Sequence, residues 1–230
     1  MDYSYLDRNI GEVRAAIARA CEGARRECDV VMLAAVKGAE IDEINYIHNT
    51  LGVNDIGENR VQQLLARYDA LDKDGLNIHF IGHLQTNKVK YIIDKVYMIH
   101  SLDSEKLAKE IDSQAKKHGV VMNVLVEINS GREENKDGVM PEEAAALCES
   151  LEKYENIKLC GFMTMAPKCE DKSEYLKYFG EIRELALDIW HNKLGKSEKP
   201  ILSMGMSGSF EQAVACGSTM VRIGSRLFVK

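Results

Sequence analysis

Val30-Val31-Met32-Leu33-Ala34-Ala35-Val36-Lys37 is the stretch on which the fold turns. Seven apolar residues in a row leave no polar face, which is the pattern of a strand covered on both sides and therefore of a parallel sheet. Working outward, seven more short apolar runs follow at residues 53–56, 78–81, 96–99, 121–128, 158–165, 201–206 and 220–223. The run at 53–56 is interrupted by Asn54 and Asp55.

Helical periodicity fills the gaps between runs. Leu107, Ala108, Ile111 and Ala115 line one face from Ser104 to Lys117, with Gly119 at the expected stop. Pro141, Glu142 and Glu143 open a helix that buries Ala145, Leu147, Cys148 and Leu151. Tyr175, Leu176, Phe179, Ile182, Leu185, Ala186 and Ile189 form another stripe ahead of Gly195. Ser209-Phe210-Glu211-Gln212 reads as a capping box and Gly217 as the stop of a short helix. Eight strands alternating with helices predict an α/β chain folded as a closed (β/α)8 TIM barrel, in preference to an open doubly wound sheet. Only residues 225–230 follow the last strand. A helix from residue 7 to about residue 28, within an N-terminal segment 1–29, is expected to cover the surface that an eighth helix would cover. No linker or repeat divides the chain, so residues 1–230 are expected to form one domain.

Composition narrows the function. With 45% hydrophobic residues spread along 230 positions, the chain is not disordered. No run approaches about eighteen apolar residues, and the N-terminus lacks the basic and apolar regions of a signal peptide, so no membrane span is expected. Cys21, Cys28, Cys148, Cys160, Cys169 and Cys216 contain no Cys-x-x-Cys pair, which fits neither a disulfide framework nor a zinc site. A reduced, cytoplasmic protein is expected. The net charge of −6 argues against nucleic-acid partners.

Barrel chemistry gathers at strand C-termini. These are Lys37, Gly57-Glu58-Asn59, Gly82-His83-Leu84-Gln85, His100-Ser101, Glu127-Ile128-Asn129, Met163-Thr164-Met165, Met206-Ser207-Gly208-Ser209 and Gly224-Ser225. The last two suit phosphate, since small residues let backbone N–H groups approach an anion and hydroxyls add donors; ordinary Gly/Ser turns are the alternative. Lys37 ends an apolar strand, where partial desolvation would favour a nucleophilic amine. A lysine that snorkels to solvent is the alternative there. A phosphate site and an amine in one barrel mouth suit a phosphate-bearing aldehyde, either pyridoxal 5'-phosphate (PLP) or a phosphorylated sugar.

The segments Leu33-Ala34-Ala35-Val36-Lys37, Ile56-Gly57-Glu58-Asn59-Arg60-Val61-Gln62, His79-Phe80-Ile81-Gly82-His83-Leu84-Gln85-Thr86-Asn87-Lys88, Gly161-Phe162-Met163-Thr164-Met165, Ser203-Met204-Gly205-Met206-Ser207 and Val221-Arg222-Ile223-Gly224-Ser225 occur in this order. Together they resemble the pyridoxal phosphate homeostasis protein family (YggS-like or PROSC-like), over nearly the whole chain. The resemblance implies a fold-type-III PLP barrel similar to the N-terminal domain of alanine racemase. It implies an internal aldimine on Lys37, with Ser207, Arg222, Gly224 and Ser225 around the phosphate or ring and Asn59 and His83 bordering the cofactor's face. Arg222 could serve either the phosphate or the pyridine nitrogen. Val36-Lys37-Gly38-Ala39-Glu40 departs from the family, which has Ser or Thr near the lysine and a proline shortly after it.

The implied function is a monomeric carrier that buffers PLP and delivers it to PLP-dependent apo-enzymes, with little or no catalysis. The chain ends just after the last strand, where alanine racemase continues into a second domain. A PLP-dependent amino-acid racemase, using Lys37 alone or a tyrosine such as Tyr46 or Tyr97, is the alternative, and an aldolase-like use of Lys37 is a third. The histidines show no metal-ligand spacing, and His79 and His83 straddle a strand end. Lys88, Lys90 and Lys95 read as a solvated helix face, Met163, Met165, Met204 and Met206 as core or cofactor lining, and Cys160 and Cys216 as buried and inert. Residues 131–136 read as a mobile lip over the mouth.

Overall fold

A computed structural model describes residues 2–230. The elements run α1 (Ser4–Gly23), β1 (Val31–Ala35), α2 (Ile41–Asn49), β2 (Asp55–Glu58), α3 (Val61–Arg67), β3 (Asn77–Phe80), β4 (Met98–Leu102), α4 (Glu105–His118), β5 (Met122–Ile128), α5 (Ala144–Ser150), β6 (Ile157–Thr164), α6 (Lys172–Leu187), β7 (Ile201–Met206), α7 (Phe210–Ala215) and β8 (Met220–Ile223). The strands form a closed barrel in chain order, parallel throughout, with β1 pairing β8 from Val31↔Met220 to Ala34↔Ile223.

Alternation along the strands explains the unbroken apolar runs. Ala34, Val36, Ile56, Ile78, Phe80, Ile99, Val124, Val126, Val221 and Ile223 belong to the large core between strands and helices. Their sequence neighbours point inward, where Leu33, Ile81 and Met220 form one apolar cluster and Met98, Leu125 and Met163 another. Both faces are covered, so β1 is apolar at both parities, while the interior parity of other strands also carries His79, His100, Ser203 and Arg222.

Several expected boundaries shift. Val53 is buried, but its N–H bonds Ile47 O (3.0 Å) at the end of α2, so β2 starts two residues later. Val96 N–H likewise closes a turn on Ile92 O (3.1 Å), and β4 starts at Met98. At their other ends, β2 and β4 continue through Gly57-Glu58 and His100-Ser101, which sequence reading placed after the strands, whereas β5 ends at Ile128 as expected.

Helix signals held to different degrees. Ser104 caps α4 by accepting from Leu107 N–H (3.4 Å), and Gly119 ends it at φ 66°. Pro141 opens a single 3-10 turn before α5, and a 3-10 segment, Thr86–Tyr91, stands where a helix would follow β3. Lys88 and Lys90 on it both approach the exposed Tyr91 ring, and Lys95 lies beyond it, paired with Asp94. The Ser209 capping box is a correction. Ser209 Oγ turns back to accept from Met206 N–H (3.3 Å), and α7 starts without a side-chain cap.

α1 ends at Gly23, short of residue 28, and packs beside α7. Asn9 on α1 donates to Leu227 O (2.9 Å) and Val229 O (2.8 Å), tying the C-terminal tail across the barrel wall. Met163 and Met204 are core, whereas Met165 and Met206 are exposed at the mouth. Cys160 and Cys216 are part-exposed rather than buried, although burial still raises both thiols and disfavours the reactive thiolate. Among the described residues no helix is long and apolar enough to cross a membrane.

Candidate functional site

A cavity of about 710 Å³ opens at the C-terminal end of the strands. Its lining brings together Lys37, Asn59, Ser207, Arg222, Gly224 and Ser225, with Ile81, Met165, Met206 and Phe228 as apolar walls. The expected residues therefore share one cavity, except His83. The imidazole of His83 turns to Asp137 (Nδ1 to Oδ1, 2.9 Å) and Asp103 (3.9 Å), is half-exposed, and does not line the cavity. Two carboxylates on the neighbouring loops draw it away from the mouth. These three side chains lie close enough to share a cation, but His83 and Asp137 are exposed and already paired with each other at 2.9 Å.

Lys37 sits two residues past β1 in a tight turn. Val36 O accepts from Ala39 N–H (3.1 Å) and from Arg67 Nη1 (3.0 Å), which fixes the turn carrying the lysine. Arg67 is itself braced by Glu58 at 3.3 Å. Burial pushes the Glu58 carboxyl up to about 7 against the pull of Arg67, and neither of its oxygens has a hydrogen-bond partner. The Lys37 side chain is exposed, contrary to the expected partial desolvation, because the turn carries it beyond the packed barrel end.

Close backbone approach shapes the rest of the rim. A Cβ at Gly82 would lie 2.2 Å from Asn59 O, so only glycine there lets the loops after β2 and β3 meet. Gly205, at φ 89°, would place a Cβ 2.6 Å from Ala213 Cβ, and its absence lets α7 fold directly onto β7. Ser207 Oγ accepts from Gly224 N–H (3.1 Å) and Arg226 N–H (3.5 Å), pinning the loops after β7 and β8 together. Small residues and hydroxyls converge there on one side of the cavity.

Arg222 forms the floor. It points inward from β8 and is 4% exposed. Nη1 donates to Ser203 O (2.5 Å) and Ser203 Oγ (2.7 Å), and Nη2 to Thr164 O (2.9 Å). That uses three of about five N–H donors. Burial draws Arg222 down to about 10, so it stays cationic at neutral pH, and among the described residues no carboxylate lies within ion-pair distance. Its nearest acidic influence is Glu127, 3% exposed, which burial and then Asp137 push up to about 8. At neutral pH Glu127 is a neutral acid, and the floor carries net positive charge. A fixed cation, an amine and a rim of small hydroxyl residues suit an anionic, carbonyl-bearing ligand.

Sequence reading named Arg222 but missed its seat on Ser203 and Thr164, the Glu58–Arg67 brace, and the neutral Glu127. The signal available was Glu127 inside a largely apolar run with no adjacent cation. Tyr46 is bonded to Asp7 (3.0 Å) on α1, and Tyr97, just before β4, lies at the opposite barrel end beside His79. Neither lines the cavity.

This geometry agrees with the matches to known proteins. The family described as alanine racemase, N-terminal domain, matches residues 2–230. Within that class the similarity narrows. The chain is 43% identical to the pyridoxal phosphate homeostasis protein of Aquifex aeolicus, over 95% of both chains. A crystal structure of an unknown protein from Bifidobacterium adolescentis superposes with a TM-score of 0.91 at 32% identity, covering 99% of this chain and 97% of that one. PipY of Synechococcus elongatus, solved with PLP bound, superposes with a TM-score of 0.78 at 28% identity, covering 93% and 100%. The chain belongs to the pyridoxal phosphate homeostasis protein family.

Proposed function

We propose that this chain binds PLP in the barrel-mouth cavity, holds it through a reversible Schiff base on Lys37, and acts as a carrier that buffers the cofactor and hands it to PLP-dependent apo-enzymes. The observation that carries the reading is the convergence of the Lys37 amine, the buried Arg222 cation and the Ser207/Gly224/Ser225 rim in one cavity. The Lys37 amine adds to the aldehyde carbon and one water leaves; hydrolysis reverses the step and returns both partners. The rim residues, lying past the strand ends, would hold the phosphate, whereas Arg222, which sits deeper, would face the ring end. A cation beside the ring nitrogen keeps that nitrogen unprotonated and weakens the electron sink that carbanion chemistry needs.

The Lys37 turn supplies a fixed origin for the amine, and its exposure to water suits release as well as capture. Neutral Glu127 leaves the positive floor uncompensated, which favours an anionic guest over an empty cavity. The placement of Tyr46 and Tyr97 away from the cavity removes the two tyrosines considered as racemase acid/base groups.

Mixing the purified protein with PLP should produce an absorbance band near about 420 nm, typical of a protonated Schiff base. Incubation of that complex with L-amino acids should yield no substantial D-enantiomer. Turnover to D-amino acids would establish the racemase instead, and absence of the band would remove the PLP reading.

A further inference from the structure

A continuous hydrogen-bonded chain crosses the barrel interior beneath the cavity. Asp55 Oδ1 lies 3.0 Å from His79 Nε2, and His79 Nδ1 lies 2.8 Å from His100 Nε2. His100 Nδ1 lies 3.2 Å from Ser203 Oγ, which accepts from Arg222 Nη1 at 2.7 Å. His79, His100 and Ser203 are wholly buried, and Asp55, near the other end of the barrel, is the member that reaches solvent.

Donor and acceptor counting fixes the direction of every bond. Arg222 can only donate and a carboxylate can only accept. Ser203 Oγ accepts from Arg222, so its own hydrogen needs an acceptor, and His100 Nδ1 is the one within reach. His100 is buried beside His79 and Arg222, which holds it neutral, so its proton sits on Nε2 and is donated to His79 Nδ1. His79 then donates from Nε2 to Asp55. Reversing the two histidine bonds would leave the buried Ser203 hydroxyl hydrogen without an acceptor, at a cost that buried polar groups rarely bear.

We propose that Asp55, His79, His100 and Ser203 act as positioning residues, a one-way hydrogen-bond relay that holds the Arg222 guanidinium on the cavity floor and sets how strongly it polarises the ring end of the bound cofactor. The proposal rests on the PLP reading for its ligand, but the relay belongs to the protein alone. Each link orients the next in a low-dielectric interior, where such chains strengthen one another. The anchored end is a carboxylate that also accepts from Asn77 Nδ2 (3.1 Å), so the chain ends on a fixed acceptor. Without the relay, Arg222 keeps Ser203 O and Thr164 O but loses the contact that fixes the tilt of its plane.

Two measurements test it. Long-range 1H–15N correlation on the cofactor-free protein should show both His79 and His100 protonated at Nε2 and unprotonated at Nδ1; a proton on His100 Nδ1 would overturn the relay. The second compares Ser203→Ala with the wild type in PLP titration. Loss of one charge-assisted bond should raise the dissociation constant about tenfold and move the long-wavelength band, and the thermal midpoint should fall because the buried His100 Nδ1 loses its partner. Wild-type affinity and an unmoved band in Ser203→Ala would overturn the positioning role. A wild type that shows the stated tautomers but binds no PLP would refute the function proposed above and leave the relay standing.

Discussion

Replacing Glu127 with glutamine should stabilise the protein in alkaline solution and leave it unchanged in acid. Glu127 is 3% exposed, and its carboxyl is raised from 4.5 to about 8, by burial first and by Asp137 second, with Arg222 opposing. Below about pH 4 the folded and unfolded chains are both protonated there and the residue contributes nothing. As pH rises, the unfolded chain releases the proton while the fold retains it. The folded state then binds more protons, and stability falls with pH until about pH 8. At about 1.4 kcal/mol per pH unit the full cost is about 5 kcal/mol, and relaxation together with water at the cavity rim brings the expected figure to between about 2 and 5 kcal/mol. Glutamine has nearly the same shape, offers a donor and an acceptor as the neutral acid does, and cannot ionise. Urea denaturation at about pH 4 should therefore give nearly matching midpoints for wild type and Glu127→Gln. At pH 9 the variant should be the more stable by the amount above. Parallel stability curves across this range would refute the assignment of Glu127 as a neutral acid in the folded protein.

Arg222→Gln should weaken PLP binding by about tenfold to a hundredfold in a titration, while the cofactor-free protein loses little stability, because a buried cation without a counter-ion is replaced by a neutral amide. Unchanged affinity would show that Arg222 does not face the ligand. Gly205→Ala should cost at least about 2 kcal/mol by urea denaturation, from a positive φ and a 2.6 Å contact with Ala213. Full stability in that variant would mean that α7 and β7 can separate without penalty.

The barrel was legible because β1 is apolar on both faces and seven further short apolar runs alternate with helical stripes. Strand ends were less so. Val53 and Val96 look like strand residues, yet their N–H groups close turns, and a hydrophobicity pattern does not reveal where a backbone bond goes. His100 looks like a loop residue, yet it extends β4, because polar side chains can lie inside a barrel when partners satisfy them. Those partners are distant in sequence: Ser203 lies 103 residues from His100. The expected site residues converged where local motifs mark strand ends, as at Lys37 and at Ser207 with Gly224. His83 went elsewhere because Asp103 and Asp137, on other loops, compete for it. The exposure of Lys37 follows from the Val36–Ala39 turn, which no apolar run encodes.

Reducing the PLP-loaded protein with borohydride, digesting it and locating the pyridoxyl group by mass spectrometry tests the central claim most directly. One modified residue, Lys37, is predicted, and Lys37→Ala should lose the reducible adduct while keeping weaker, reversible binding through the phosphate rim and Arg222. A pyridoxyl group on another lysine, or a reducible adduct surviving in Lys37→Ala, would contradict the account.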